Sequence, residues 1–193
     1  MLNFKGPIIN INNCLNGIFP FFNSLNYEFS PRTQLIDIFS SHFSFYHANH
    51  KDKDSRVAYL CKLDKYIFYV SNDSKLVVVV SDVSIKNNIT TSILHVHLSS
   101  NLIKKTIHHA VNVMFTKVEL FAIRCGINQA IQISNINHIT IVIDAIHAAY
   151  CIFNLSVHPY QLQVIAILKV LREFFNKNSS NSIKFWNCPS NNN

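Results

Sequence analysis

An α/β fold, with helices flanking a sheet of mixed strand direction, is what this sequence predicts, and three observations carry the expectation. Uncharged β-branched runs of strand length occur twice, "KLVVVVSD" at 75–82 and "HITIVID" at 138–144. Between them, "NITTSILHVHLS" and "KKTIHHAVNV" alternate with period two, separated by the polar "SSNL". After this hairpin, helical patterns and strands take turns.

The elements follow in order. "RVAYLCKLDKYIFYV" reads as a short amphipathic helix leading into an extended piece. "KLVVVVSD" is a buried strand that ends at Asp82. The two alternating segments pair as a hairpin, with Ile93, His95 and His97 on one face and Leu94, Val96 and Leu98 on the other. "TKVELFAIRCGINQAIQI" is helical, "HITIVID" is the next core strand, and "AIHAAYCIF" is a short helix. Pro159 opens a long amphipathic helix to about Lys177, since proline suits a first helical turn. "NSIKFWN" closes the order as a strand: three β, α, β, α, α, β, a five-stranded mixed sheet.

Residues 1–56 are rich in Asn, Ser and Phe and broken by Pro7, Pro20 and Pro31. They are expected to form an irregular connector or remnant arm, with one short segment at "TQLIDIFSSHF". The folded domain is expected over 57–190. "FYHANHKDKDSR" reads as a polar linker, and a solvated loop is the simpler account of His47 and His50 than a metal site.

The totals narrow the function. A chain of 193 residues with 49% hydrophobic content has ample material for one core. Its net charge of +7 favours a polyanionic partner, although no basic run exists. The five Cys lie far apart without a C-x-x-C pair, so neither zinc framework nor disulfide scaffold is expected, and a reducing, intracellular setting (cytoplasmic or nuclear) fits. No apolar stretch nears the roughly 18–20 residues of a membrane span, and the N-terminus lacks the apolar core of a signal peptide. Three glycines exclude phosphate loops and dinucleotide fingerprints.

Only ten acids exist, and three sit at informative places. Asp82 and Asp144 end the two core strands, and Glu119 opens the first helix after the hairpin. Each has a bland alternative. Asp82 can start a turn with Ser84 and Asn87. Asp144 can cap the following helix. Thr116-x-x-Glu119 matches a capping box. The helical wheel speaks against the last: Lys117, Arg124, Asn128 and Gln132 share one stripe, whereas Glu119 falls opposite, among Ala122, Gly126, Ala130 and Ile133. A carboxylate on a packing face needs a partner. If the two strands are parallel neighbours and the helix crosses them, three anions converge, and the economical partner is a hard dication, Mg²⁺ or Mn²⁺. Carboxylate-bound metals of this kind activate water against phosphodiesters.

Several segments also carry a family likeness: "SDVSIKNN", "KTIHHAVNV", "ELFAIRCGINQA", "IVIDAIHAA", "HPYQLQ" and "FFNKNSSNSIKFWNCPS". Over roughly 57–190 they resemble the ribonuclease H-like domain at the C-terminal end of fungal non-LTR retroelement polyproteins. "FFNSLNYEFSPRTQLIDIFSSHF" is similar, more weakly, to the connector that precedes it. The resemblance implies a five-stranded mixed sheet, antiparallel across its first three strands. It further implies two-Mg²⁺ endonucleolytic cleavage of the RNA strand of RNA–DNA hybrids, with Asp82, Glu119 and Asp144 as catalytic metal ligands. This chain departs from the pattern in reading Asp82-Val83-Ser84 for the frequent Asp-Gly-Ser and Asp144-Ala145 for Asp-Ser. It also stops at "CPSNNN", before the last helix where such families carry a His loop and a fourth acid, as a C-terminally truncated copy would.

Other candidates are weaker. His95, His97, His108 and His109 invite a zinc site across the hairpin, but a partly basic sheet face with Lys104 and Lys105, able to meet a nucleic-acid backbone, accounts for them as well. Phe185 reads as core, and Trp186 is left between core and base stacking. Cys125 and Cys151 read as core, and Ser81, Ser84 and Ser92 lack a base partner. Two readings stand: a divalent-metal ribonuclease on RNA–DNA hybrid, or an inactive ribonuclease H-like relic that at most binds nucleic acid.

Overall fold

The computed structural model of the chain describes residues 39–47, 53–153 and 159–188. Six strands and four α-helices are present among them: β1 (Phe43–Tyr46), α1 (Lys53–Val70), β2 (Leu76–Lys86), β3 (Ile89–Leu98), β4 (Asn101–Val111), α2 (Phe115–Ile131), β5 (His138–Ile143), α3 (Ile146–Phe153), α4 (Gln161–Lys177) and β6 (Ser182–Asn187). The strands lie in the order β1-β6-β5-β2-β3-β4. β2, β3 and β4 are antiparallel neighbours, while β5 runs parallel to β2 and β6 parallel to β5. This is the expected mixed sheet, antiparallel across β2, β3 and β4, with one strand more than expected.

The extra strand, β1, comes from the stretch read as irregular, and it pairs with β6 from Phe43↔Ile183 to Tyr46↔Trp186. At four residues it is too short to show a period. Its aromatic rings hold it: Phe43 packs edge-on against Phe153 and Phe175, and Phe45 stacks on Phe153. Residues 1–38 and 48–52, including His50 and most of the expected arm, lie outside the described residues.

A second difference concerns α1. The "YIFYV" read as extended is helical to Val70. β-Propensity loses to tertiary packing here, because Leu63, Tyr66, Ile67 and Val70 recur at helical spacing and lie on a small core with Leu76, Val78, Val142 and Trp186. Phe68 and Tyr69 point to solvent. The helix from Pro159 starts two residues later than expected, at Gln161, after Tyr160 as N-cap.

Strand alternation divides the sheet's residues between two cores. Val77, Val79, Leu94, Val96, Ile139, Ile141 and Ile143 face the larger one, covered by α2, α3 and α4. Val78, Val80 and Val142 face α1. The hairpins close tightly because Asn87 and Asn88, and then Ser99 and Ser100, all take positive φ (47° to 66°), the backbone a two-residue type I′ turn requires.

Gly126 sets how closely α2 approaches. A Cβ there would collide with Cγ1 of Val79 and stand 3.1 Å from Cδ1 of Leu94. Gly126→Ala should therefore destabilise by about 1–3 kcal/mol despite alanine's better helix propensity. Urea unfolding would measure it, and a change near zero would mean that α2 can lift away freely.

Candidate active site

β2 does not stop where the sequence reading placed its end. It continues past Asp82 to Lys86, because β3 goes on pairing it down to Lys86↔Ile89. What ends near Asp82 is the parallel neighbour: β5 last pairs through Ser81↔Ile143. Asp82 and Asp144 thus follow one another's final paired positions on adjacent parallel strands. The turn is made by Asn87 and Asn88, so Asp82 is not a turn former.

Alternation puts Asp82 on the face of Val78 and Val80, and it is exposed. Glu119 comes from the other side, in the second turn of α2, and is fully buried. Gly126 lies above Val79, so Glu119, about two turns earlier, comes over β2 near Ser81, where the pairing with β5 ends. It forms no capping box: α2 begins after Met114 with no side-chain cap, and neither Glu119 oxygen has a hydrogen-bond partner.

Electrostatics tie the three acids together. Burial first, then the charge of Asp144, and more weakly that of Asp82, push the Glu119 carboxyl up to about 8. The Ser81 hydroxyl beside it pulls the other way without reaching full hydrogen-bond geometry. The Asp144 carboxyl is also raised, by burial and then by Asp82, and is partly relieved by the backbone N–H groups of Asp144 and Ala145. That relief is the remnant of the helix-capping reading, for α3 starts at Ile146. A carboxyl that favours its neutral form through burial, and then through the charge of neighbouring carboxylates, is a frequent mark of functional sites.

The polar atoms here are also orphaned. Both Glu119 oxygens, Asp144 Oδ1, Ser81 Oγ and Ser92 Oγ are buried without partners, a costly arrangement for protein alone. The donor set is made of hard oxygen ligands, which suits Mg²⁺ or Mn²⁺. Among the described residues, however, no three His, Cys, Asp or Glu already stand as a closed metal cage.

Asn187 is a positioning residue that the sequence reading missed. Almost fully buried, it donates from Nδ2 to the carbonyls of Asp144 (2.9 Å) and Ile143 (3.3 Å), while the Cys188 N–H donates to Ile143 at 2.7 Å. Together they fix the backbone that carries Asp144. An Asn directly after the apolar pair Phe185 and Trp186, at the close of the strand, was the available signal.

The histidines do not form a zinc site. His95 and His97 share the open face, with ring centroids 6.0 Å apart. His109 meets Thr91 Oγ1 at 3.0 Å, whereas His108 turns to the other face against Phe121. Burial and the neighbouring His95 lower the His97 pKa. The lysines divide likewise: Lys105 pairs with His95, and Lys104 with Val96 on the α2 side. Trp186 is 2% exposed and therefore core, which removes base stacking. Phe185 and Cys151 are core as expected, and Cys125 is half-buried.

No family model and no curated protein matches the sequence. Solved structures resembling it in fold include the N-terminal RNase H domain of a Mycobacterium tuberculosis protein fused to maltose-binding protein (15% identity, TM-score 0.48, 62% of this chain and 86% of that one). RNase H1 of the halophilic archaeon Halobacterium salinarum is another (9%, 0.44, 59% and 86%). The protease-reverse transcriptase of prototype foamy virus is similar over 60% of this chain and 18% of its own (13%, 0.45). No helix among the described residues is long and apolar enough to cross a membrane.

Proposed function

We propose that this chain is a divalent-metal-dependent endonuclease acting on the RNA strand of RNA–DNA hybrids, in a domain of non-LTR retroelement descent. One observation carries the metal site: a buried Glu119 with two unpartnered oxygens and a pKa near 8, set against aspartates that follow the last paired residues of two parallel strands. The substrate class and the descent come from the sequence resemblance described above.

Asp82, Glu119 and Asp144 would hold the metal. Bound Mg²⁺ or Mn²⁺ supplies water of lowered pKa and a counter-charge for the leaving oxygen of a phosphodiester. The chain's own part is to gather carboxylates where burial strengthens every charge interaction. Glu119 keeps its proton at neutral pH until a cation enters, because its folded pKa lies above that pH. Asn187 holds the Asp144 backbone, and the open face beside Asp82 offers His95, His109 and Lys105 to phosphates.

A second reading, an inactive domain that only binds nucleic acid, draws support from the absence of a preformed three-residue cage among the described residues. Incubation of the purified chain with RNA–DNA hybrid and Mg²⁺ or Mn²⁺ separates the two. Metal-dependent cutting of the RNA strand is expected, falling by about 100-fold or more in Asp82→Asn. Binding without cutting, in a folded protein, would favour the inactive reading.

A further inference from the structure

α1 lies on the sheet with two unlike edges. At about 100° per residue, Lys62, Lys65 and Tyr69 fall along one edge, and Asp64 and Phe68 along the other. The two edges border different hollows. Asp64 stands at a cleft floored by Val78 and Val80 of β2. Tyr69 and Tyr66 stand at a smaller, half-open cavity of about 180 Å³, whose far wall carries His138 at the start of β5 and Ser182 and Lys184 of β6.

Cations and rings alternate along the groove between this second edge and β6. Lys62 Nζ stands 5.8 Å from the centre of the Tyr46 ring, and Lys184 Nζ 5.1 Å from that of Tyr66. Lys65, exposed, lies between Lys62 and Tyr69 at three and four residues' spacing. Contact with the tyrosine rings is reason enough for the pose of Lys62 and Lys184. It does not account for Tyr69. That side chain is 78% exposed and makes no ring contact among the described residues. The cavity beside it has room for one ring, since a space of about 150 Å³ accepts benzene. Its wall is also more polar than a benzene-like guest would need. His138 Nδ1 meets Ser182 Oγ at 2.9 Å, and Asp73, whose Oδ1 accepts the Lys75 N–H at 2.8 Å, has its other oxygen to offer.

We propose that this groove is a seat for single-stranded nucleic acid, with a base stacked on Tyr69 and seated in the cavity beside it, and with phosphates on Lys62, Lys65 and Lys184. The inference rests on the nucleic-acid reading given above, in either of its forms, and adds a contact surface away from the metal site. Both halves of a nucleotide are served: an aromatic face takes any base, and the lysines neutralise the backbone. A purely acidic peptide would find the lysines but bring no ring for the cavity. The groove also leads somewhere. At one end Lys62 covers Tyr46, which pairs with Trp186, next to the Asn187 that holds the Asp144 backbone. At the other end lies His138, which opens β5, whereas Asp144 follows its close, roughly 20 Å away. A strand leaving the metal site can therefore follow α1 down to Tyr69.

The test is fluorescence anisotropy of a labelled oligothymidylate of about ten nucleotides, titrated with the full chain in EDTA so that no metal takes part. Tyr69→Ala should weaken binding by about tenfold, and Tyr69→Phe should recover most of it. Lys65→Gln and Lys184→Gln should each weaken binding and flatten the slope of log affinity against log salt by about 0.7. Lys177→Gln, at an exposed lysine that ends α4, should bind like wild type. Oligoglutamate should displace the strand poorly, and the melting temperature of Tyr69→Ala should not move. If oligoglutamate competes as well as unlabelled oligothymidylate, or Tyr69→Ala binds like wild type, the surface is a general polyanion patch and the proposal is overturned. If Tyr69→Ala melts lower and Tyr69→Phe restores nothing, Tyr69 is structural and the proposal fails. If wild type binds RNA–DNA hybrid but no single strand, the proposal fails and the nucleic-acid reading stands. If it binds neither, both fall together.

Discussion

Glu119→Gln should abolish most of the stability that the metal-free protein loses between mildly acidic and mildly alkaline pH. In the native state the carboxyl titrates at about 8, against 4.5 for the ordinary group. Between these values the folded chain holds a proton that the unfolded chain has released, so stability falls as pH rises. The contribution is fully present below the unfolded value and is lost as pH climbs through the folded one. Its slope approaches about 1.4 kcal/mol per pH unit, which sums to a few kcal/mol across the window. Asp144, raised by the same surroundings, adds a smaller effect of the same sign. The lowered His97 pKa works in the opposite direction, but both proteins share it and it cancels in the comparison. Urea melts at about pH 5 and about pH 8.5 would show a clear difference for wild type and a much smaller one for Glu119→Gln. Saturating Mn²⁺ at the higher pH should restore wild type, because an ion that binds only the folded state stabilises it. Parallel pH slopes in the two proteins would sink the claim that Glu119 is a buried, coupled acid.

Trp186→Ala should be the most damaging substitution outside the site, at about 3–5 kcal/mol. Trp186 is the centre of the smaller core. Its ring stacks on Tyr46 at 4.3 Å and on Tyr66 at 5.0 Å, and meets Tyr59 at 5.7 Å. Those tyrosines join α1 to the strands: Tyr59 donates to the carbonyls of Tyr46 and Asn187, and Tyr66 meets Thr140 Oγ1 at 2.9 Å. Losing the indole removes the surface on which α1 and β1 both rest, so amide exchange should accelerate in α1 before it does in α2. Trp186→Phe should cost far less, since the indole N–H has no partner to lose and its burial is itself unfavourable. Equal losses for Ala and Phe, or uniform exchange across both helices, would contradict this division into two cores.

Much of the architecture was readable from residue order. β-Branched runs, period-two alternation and the polar pairs between the alternating segments specify β2 to β5, because burial on a sheet face requires that pattern. The wheel of α2 put Glu119 on its packing face, where the structure has it buried with no partner. β1 and the second half of α1 were not readable. Four aromatic residues are too few to show a period, and "YIFYV" carries local preferences that favour strand. Both segments take their form from contacts with Trp186, Phe153 and Phe175, residues more than a hundred positions away in the chain.

The sequence by itself determined which acids merit attention, since a chain with ten of them can place few by chance at the mouths of apolar strands. Only the tertiary structure decided how they stand to one another. Asp82 lies within its strand and not at its end, for the antiparallel partner β3 continues where the parallel partner β5 stops. Glu119 and Asp82 approach from opposite faces of the sheet, on elements with no visible tie to one another in sequence. Local patterns report what each segment buries. Which strand lies beside which, and where one neighbour runs out before the other, is set by long-range pairing, and that alone brings distant charges within reach.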